Sequence, residues 1–312
     1  MSAVPKNRIR LLVLSGFLGS GKTTWLRHQL HSGLLRSRTV IVNEAAAAPV
    51  DDALLADLAQ VRTISGGCVC CSKRDAFLRV LREHCNQSQP QDIVLETSGL
   101  AEPAAIVEAI RADPLLVHRI LVEEVMVTVD ALSALARLKH DALIRAQIET
   151  ADVLVITKLD ALEEDAAGRL AATLKRVNPG ARIMGTVKGE EVALPDYANV
   201  AAEELPLLRE IPAAGPIVAA DIEIDPAVGW EVFSVWLSAL LHARGDEILR
   251  IKGVVRTPNG RVLLQCVQKS VLPPEILPET VAADLSFDNR LAFIGRGFDA
   301  KRLKQSLKAF CG

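Results

Sequence analysis

The fold of this chain follows from one stretch, Gly16-Phe17-Leu18-Gly19-Ser20-Gly21-Lys22-Thr23-Thr24. It fits the pattern G-x-x-x-x-G-K-[ST], in which glycines let successive backbone N–H groups turn toward a bound phosphate. The apolar run at 11–14 before it suits a buried strand, and residues 25, 26 and 30 after it are apolar at helical spacing. Because the motif requires a strand, a loop and a helix in this order, a glycine-rich turn that matches by chance is the weaker interpretation.

The residues of this loop have separate predicted roles toward a nucleoside triphosphate. Lys22 supplies a positive charge to the β- and γ-phosphates, and the Thr23 hydroxyl supplies a ligand for Mg²⁺. The N-terminus of the following helix adds positive potential. The predicted nucleotide-binding residues of the loop are Gly16, Gly19, Ser20, Gly21, Lys22, Thr23 and Thr24.

The composition indicates a globular chain with enough apolar residues for two cores. The chain has 312 residues, 50% of them hydrophobic, and a formal net charge of −2. It has no basic run and few aromatic residues, so we expect no nucleic-acid partner. No apolar run approaches the length of a membrane span, so we expect no membrane partner. We expect a cytoplasmic location because the chain carries a nucleotide-binding motif. We interpret residues 6–14 as leading into the first strand and not as a signal peptide, because they run directly into the phosphate loop.

Strand and helix patterns alternate through the first part of the chain, which favours an α/β domain with a mostly parallel, doubly wound sheet. The predicted strands after the loop are 38–42, 92–95, 125–129, 153–156 and 181–187, and the predicted helices include 75–84, 104–111, 143–150 and 163–177. We predict a nucleotide-binding domain at 1–187, a connector at 188–216 and a second domain at 217–312.

The second domain is predicted to be a smaller α+β unit. Its predicted strands are 217–224, 248–255, 261–267 and 291–294, and its predicted helices are 228–243 and 300–310. Pro258-Asn259-Gly260 is a strong turn signal between two of these strands.

A second phosphate-binding segment is predicted at Glu96-Thr97-Ser98-Gly99, where a buried strand ends in an acid. In phosphate-loop enzymes such an acid holds Mg²⁺, and a glycine N–H can approach the γ-phosphate because no side chain obstructs it. Glu96 and Gly99 fit these roles. An apolar strand that ends in glutamate is common by itself. The functional interpretation is favoured because this strand follows a phosphate-loop motif in the chain.

Thr157-Lys158-Leu159-Asp160 follows another apolar strand and favours guanine over adenine. The Asp160 carboxylate can accept hydrogen bonds from guanine N1–H and its exocyclic amine, a donor pattern that adenine does not offer, and the Lys158 stem can cover the base. Taken alone, the tetrapeptide is equally typical of an ordinary helix start.

Three cysteines crowd into Gly66-Gly67-Cys68-Val69-Cys70-Cys71. Thiolates favour Zn²⁺, Cu(I) or Co²⁺ over Mg²⁺, and three ligands leave an open position that suits a transferable ion. Buried small side chains or a redox pair are the alternatives. Cys85, Cys266 and Cys311 are isolated, and we interpret them as ordinary cysteines.

With these motifs in view, the sequence resembles the CobW-type GTPases, a family of the SIMIBI class. The resemblance rests on the loop, Asn43-Glu44, the cysteine motif, residues 96–103 and residues 157–160, and in the second half on residues 250–255 and 293–296. It implies a GTP-hydrolysing metallochaperone or metalloenzyme activator that uses GTP/GDP and Mg²⁺ and binds Zn²⁺ or Co²⁺ at Cys68, Cys70 and Cys71. It also implies a client metalloenzyme, which the sequence does not identify, and leaves open a nucleotide- or metal-dependent homodimer.

One segment departs from the family pattern. After Asn43-Glu44 the family usually has Phe-Gly-Glu, whereas this chain has Ala45-Ala46-Ala47 and a further alanine. Glu44 and Asp51 still align, so Glu44 is a candidate metal ligand, and Asp51 is a candidate for contacting Mg²⁺ or orienting the attacking water. The predicted catalytic set is therefore Lys22, Asp51, Glu96 and Gly99. Loss of the glycine stiffens a loop that must move, so GTP binding is better supported than GTP turnover.

Two other functions stay open at this point. A non-catalytic, GTP-dependent metal sensor or scaffold agrees with the altered segment after Glu44. A phosphate-loop kinase for a small molecule would need an arginine-rich lid, and the sequence has no concentrated candidate for one.

Overall fold

The computed structural model describes residues 8–35, 37–44, 61–65, 74–206, 217–245, 247–267, 270–271, 274–277, 288–297 and 299–310. The chain divides into two compact units, one formed by Met1–Val177 with Ala181–Glu210 and the other by Asn178–Gly180 with Ile211–Gly312.

The first unit is built on a mostly parallel sheet, which confirms the predicted fold class. Its strands are β1 (Ile9–Ser15), β2 (Arg38–Glu44), β3 (Val61–Ser65), β4 (Asp92–Glu96), β5 (Ile120–Asp130), β6 (Val153–Thr157), β7 (Arg182–Val187) and β8 (Glu190–Val192). They lie in the order β3-β2-β4-β1-β5-β6-β7-β8, and every neighbouring pair is parallel except β7 and β8. Strands β2, β3 and β4 lie on one side of β1 and strands β5 to β8 lie on the other, so the strand order reverses at β1. Ligands of open α/β sheets bind at the carboxyl ends of the strands beside such a reversal.

Strand β1 is buried on both faces of the sheet. Leu12 and Leu14 pack with Trp25, Leu26 and Leu30 of the following helix. Residues 11 and 13 are fully buried as well, and successive strand residues point to opposite faces. The sheet is therefore covered on both sides, as the continuous apolar runs predicted.

The helices of the first unit fall between the strands. Those in the described ranges are α1 (Lys22–His31), α2 (Arg74–Cys85), α3 (Pro103–Ala112), α4 (Leu116–Arg119), α5 (Ala134–Leu138), α6 (Ala142–Glu149) and α7 (Glu164–Val177), with a short 3₁₀ turn at Leu159–Ala161. Each of the four helices predicted within this unit is present, within one residue at each end.

Asp113 joins three of these helices. Its buried carboxylate accepts hydrogen bonds from Leu115 N and Leu116 N, both at 3.0 Å, where α4 begins, and from Arg82 Nε of α2 at 2.8 Å. Burial alone would raise the pKa of Asp113, but these hydrogen bonds and the charge of Arg82 outweigh it and lower the pKa below its ordinary value.

The structure extends the first unit beyond residue 187, into the stretch predicted as a connector. Strand β8 adds an antiparallel edge to β7. Farther along, Glu203 N donates to Thr173 Oγ1 of α7 at 2.8 Å, and Arg145 Nη1 of α6 donates to Pro206 O at 2.7 Å. These contacts could not be predicted from the sequence, because the stretch has weak periodicity and its partners lie far away along the chain.

The second unit is α+β, as predicted. Its described strands are β9 (Ile217–Glu223), β10 (Ile248–Thr257), β11 (Gly260–Val267), β12 (Ser270–Val271), β13 (Glu275–Ile276) and β14 (Arg290–Arg296), and its described helices are α8 (Trp230–Arg244) and α9 (Ala300–Phe310). The antiparallel sheet has the order β12-β11-β10-β14-β9, with β13 also paired to β11. The predicted turn joins β10 to β11, and Gly260 has φ +112°, which favours glycine.

The core of the second unit lies between its sheet and the helices α8 and α9. Phe233 and Trp236 of α8 are buried against Phe293 of β14, and Leu303 and Leu307 of α9 belong to the same cluster. The Trp236 Nε1–H donates to the hydroxyl of a serine in α9 at 3.1 Å, so the one polar atom of this indole is satisfied.

Candidate functional site: a phosphate loop and a base pocket

The loop between β1 and α1 has the backbone that a phosphate cradle requires. Gly16, Gly19 and Gly21 have φ values of +134°, +80° and +88°, a region that other residues rarely adopt. At Gly16 a side chain would also collide, since a Cβ there would lie 2.5 Å from both Thr128 O and Thr128 Oγ1. Helix α1 begins at Lys22, directly after Gly21, so its N-terminus faces the loop.

Lys22 lies within the loop. Its side chain is largely buried, and its ammonium group donates to Gly16 O at 2.8 Å and to Phe17 O at 3.1 Å. These hydrogen bonds hold the positive charge above the loop backbone, where the sequence motif predicted contact with phosphate oxygens.

Thr23 and Glu96 meet at the start of α1. The Thr23 hydroxyl donates to Glu96 Oε1 at 2.6 Å, and Glu96 is the last residue of β4, only 4% exposed. The register pairs Glu96 with Leu14 of β1, which brings its carboxylate beside the loop. A hydroxyl and a carboxylate are oxygen ligands of the kind that Mg²⁺ prefers, so these two residues fit the predicted Mg²⁺ site.

Gly99 packs directly on the phosphate loop. A Cβ at Gly99 would lie 2.5 Å from Leu18 N, 2.8 Å from Leu18 Cα and 3.0 Å from Phe17 C. All three are backbone atoms of the loop, so only glycine allows this approach. The two predicted phosphate-binding segments are therefore in contact.

Hydroxyl groups tie the loop to the neighbouring strands. Ser20 Oγ and Thr128 Oγ1 share a hydrogen bond of 2.6 Å, and Thr97 Oγ1 donates to Ser15 Oγ at 3.0 Å. Ser20 and Thr128 are fully buried. Thr128 could not be identified as a site residue from the sequence, because its position inside an apolar run showed only that it belongs to a strand.

The guanine motif follows β6 and is joined to the loop. Thr157 Oγ1 donates to Ser20 O at 2.8 Å, and Lys158 Nζ donates to Gly19 O at 3.0 Å. Lys158 also pairs with Asp130, at 2.7 Å from Nζ to Oδ2, because the register places Asp130 beside Thr157. Sequence reasoning missed Asp130, although it ends an apolar strand in an acid, the signal that identified the carboxylate of β4.

A cavity of about 330 Å³ opens beside this motif. Its lining residues are Gly21, Thr24, Trp25, Thr157, Lys158, Asp160, Ala161, Lys188 and Gly189. Asp160 is exposed, so its carboxylate is available to a molecule in the cavity. Lys188 and Gly189, in the β7–β8 turn, belong to the stretch predicted as a connector and were missed as site residues.

The β7–β8 turn is held against α1. Gln29 Nε2 donates to Gly189 O at 3.1 Å. Gly189 has φ +94°, and a Cβ there would lie 2.4 Å from His28 Cβ. This turn is therefore a fixed part of the cavity wall, and its close approach to α1 requires glycine at position 189.

Phe17 connects the loop to α5. The Arg137 guanidinium lies 4.5 Å from the centroid of the Phe17 ring, and Arg137 also pairs with Asp141 at 3.1 Å. Asp141 in turn caps α6 by accepting hydrogen bonds from two backbone N–H groups of its first turn.

The predicted metal ligands Cys68, Cys70 and Cys71 and the predicted catalytic Asp51 lie outside the described residues. Glu44 is the last residue of β2 and is paired in register with Ser65, the last residue of β3. In the part of the chain that the structure describes, no group of three or more His, Cys, Asp or Glu side chains is arranged to hold a metal ion. Cys85 and Cys266 are buried in the cores of their units, which agrees with their interpretation as ordinary cysteines.

Two family models match this chain along nearly its whole length. The model described as the CobW/HypB/UreG nucleotide-binding domain matches residues 10–185, and the model described as the cobalamin synthesis protein cobW C-terminal domain matches residues 217–311. The chain belongs to the CobW family. This confirms the resemblance that the motifs indicated, including that of the second half.

Several CobW-family relatives cover most of this chain. Zinc chaperone YjiA of Escherichia coli is 31% identical over 281 residues, which are 84% of this chain and 87% of the relative. Zinc chaperone CobW of Pseudomonas aeruginosa is 28% identical over 350 residues, with coverage of 96% and 91%. The crystal structure of Zn(II)-bound YjiA GTPase from E. coli has a TM-score of 0.61 at 23% identity, covering 97% of this chain and 99% of that chain, which shows the shared fold.

None of the helices in the described ranges is both long enough and apolar enough to cross a membrane.

Proposed function

We propose that this chain is a GTP-hydrolysing metallochaperone that binds Zn²⁺ or Co²⁺ at Cys68, Cys70 and Cys71 and delivers the ion to a client metalloenzyme in the cytoplasm. The observation that carries the nucleotide part is the junction of two segments far apart in sequence, where Gly99 contacts the loop backbone and Thr23 bonds to Glu96. Membership of the CobW family and the zinc-chaperone names of its relatives support the metal part.

The geometry supports separate roles for these residues during hydrolysis. We assign to Lys22 the neutralisation of charge on the phosphates. We assign to the Gly99 N–H a contact with the γ-phosphate, because Gly99 lies against the loop and has no side chain to obstruct a phosphate. Thr23 and Glu96 would hold Mg²⁺, which supplies further charge stabilisation at the phosphates when bound. Asp51 remains our candidate for orienting the attacking water.

We propose that the cavity beside the loop binds the guanine base. The Asp160 carboxylate would accept the guanine N1–H and amine, and the Lys158 stem would lie over the base. The ion pair with Asp130 and the hydrogen bond to Gly19 O hold that lysine in place. A protein with this arrangement should bind GDP and GTP and reject ADP and ATP.

The placement of β2 and β3 supports a metal site near the nucleotide. Both strands end at the same edge of the sheet as β4, and Ser65, at the end of β3, precedes Cys68 by three residues. Three residues of chain span at most about 11 Å, so we expect Cys68 to lie near this edge. Adjacent strands are about 4.8 Å apart, so β3 and β4 lie about 10 Å apart across β2, whose last residue is Glu44. We propose that nucleotide state and metal affinity are coupled across this short distance.

The experiment that tests the proposal is a Co²⁺ or Zn²⁺ titration with GDP, with a non-hydrolysable GTP analogue and without nucleotide. Cys70→Ala should bind Co²⁺ more weakly, with a reduced thiolate-to-Co²⁺ absorption, and keep its GTP affinity. The matched variant Cys85→Ala should keep the metal affinity, the absorption and the GTP affinity, because Cys85 is an isolated buried cysteine. Equal metal affinity in all nucleotide states would refute the coupling, and a Co²⁺ spectrum without thiolate bands would refute the metal site.

A second candidate function is a metal sensor or scaffold that binds GTP without turning it over. The alanines that follow Glu44 favour it, because they replace a carboxylate and a glycine of the family pattern. Steady-state release of phosphate separates the two functions, since the sensor would release none above background. A screen of phosphoryl acceptors tests the small-molecule kinase.

A further inference from the structure

Among the described residues, the side chain of Gln147 in α6 bonds to the backbone of the Gly99 turn. Its Nε2 donates to Ala101 O at 2.8 Å and to Gly99 O at 3.3 Å, across 46 and 48 residues of sequence. Gln147 is fully buried, so its amide cannot exchange these bonds for water. The beginning of the same segment is held by β1, where Thr97 N donates to Leu14 O at 2.9 Å.

The two carbonyl groups determine which end of the amide faces the turn. An amide oxygen placed there would meet two carbonyl oxygens and be repelled, so the nitrogen must occupy this position. Among the described residues, Oε1 of Gln147 has no hydrogen-bond partner although it is buried. A buried acceptor without a partner is unfavourable for stability, and the two hydrogen bonds from Nε2 to the turn are what this amide contributes against that cost.

We propose that Gln147 is a positioning residue that sets the preference of this protein for GTP over GDP. The inference rests on the proposed function, because it assumes that Gly99 contacts the γ-phosphate. Gln147 holds the carbonyls on either side of Leu100, and thereby holds the Gly99 peptide against the backbone of the phosphate loop. GDP has no γ-phosphate, so its affinity does not depend on this turn.

The test compares Gln147→Met with the matched variant Gln29→Met in the full-length protein. Both replace an amide that donates to a backbone carbonyl, but Gln29 supports Gly189 in the wall of the base cavity. Dissociation constants are measured for GDP and for a non-hydrolysable GTP analogue with Mg²⁺. For Gln147→Met we expect the analogue to bind about five- to tenfold more weakly, with GDP affinity nearly unchanged. Gln29→Met should weaken both nucleotides by the same factor.

The ratio of the two dissociation constants decides the outcome. If Gln147→Met changes GDP and analogue affinity equally, or changes neither, Gln147 is a structural residue only and the inference is overturned. Gln147→Asn keeps a buried amide but is one methylene too short for both carbonyls, so it gives the same test should the methionine variant not fold. Wild-type protein that binds no guanine nucleotide would instead overturn the proposed function, which separates the two failures.

Discussion

Replacing Gly99 with alanine should separate the two phosphate-binding segments. The new Cβ would lie 2.5 Å from Leu18 N and 2.8 Å from Leu18 Cα, whereas carbon contacts are most favourable at about 3.5–4.0 Å. Both contacting atoms belong to the backbone of a loop that is itself hydrogen-bonded to β5 and β6, so no flexible side chain can move aside. The turn and the loop must therefore separate by about 1 Å.

The expected magnitude follows from that displacement. Overpacking of this kind costs about 1–3 kcal/mol of unfolding free energy. At about 2 kcal/mol, the Tm of a unit of this size falls by about 4–8 °C. A displacement of about 1 Å at a catalytic contact reduces turnover about 100-fold, so GTP hydrolysis should fall much further than GDP affinity.

The matched control is Gly168→Ala, because Gly168 lies inside α7 and has room for a methyl group. Its nearest neighbour would be Val200 Cγ2 at 3.5 Å, an ordinary contact. Alanine is the better helix former there, so we expect a gain of about 0.5–1 kcal/mol and unchanged turnover. Thermal unfolding and phosphate release measure both variants. A Gly99→Ala protein with wild-type Tm and wild-type turnover would refute the close packing from which these values are derived.

Three further perturbations test other parts of the first unit. Asp130→Asn removes the charge paired with Lys158, so GDP and GTP affinity should both fall about three- to tenfold in fluorescence titrations, and unaltered affinity would contradict the role of the pair. Thr23→Ala removes the hydroxyl beside Glu96, so the Mg²⁺ concentration for half-maximal hydrolysis should rise about tenfold or more, whereas Thr23→Ser should resemble the wild type. The lowered pKa of Asp113 means that its ionised form stabilises the fold above the ordinary pKa of about 3.9, and that this stabilisation is lost as pH falls through the lowered value. The destabilisation by Asp113→Asn, measured by urea unfolding, should thus be larger at pH 7 than in strong acid, and an equal effect at both would argue against it.

Residues that act within one local motif could be identified without the structure. The loop, the Glu96-to-Gly99 segment and the Thr157-to-Asp160 motif each carry their chemistry in consecutive residues beside an apolar strand. Their spacing also indicated which strands end near the nucleotide, since parallel strands place their carboxyl ends at one edge.

Residues that act across the fold could not be identified in this way. Asp130 reaches its lysine through the pairing of β5 with β6, and Gln147 reaches the Gly99 turn across 48 residues. Strand β3 was missed because its five residues, VRTIS, lack a clear alternation of apolar and polar side chains. The turn at Lys188 and Gly189 was missed because a reversal into a short edge strand resembles the start of a linker.

The amino-acid sequence by itself determined the class of fold, the phosphate loop and the family. The class of fold follows from local periodicity, and the loop and the family follow from short runs of residues whose backbone and side chains act together. The tertiary structure decided the strand order β3-β2-β4-β1-β5-β6-β7-β8 and, with it, which distant side chains meet the loop. The physical reason is that hydrogen bonds between strands join backbone groups, which every sequence has. The neighbours of a strand are therefore chosen by the packing of the whole domain.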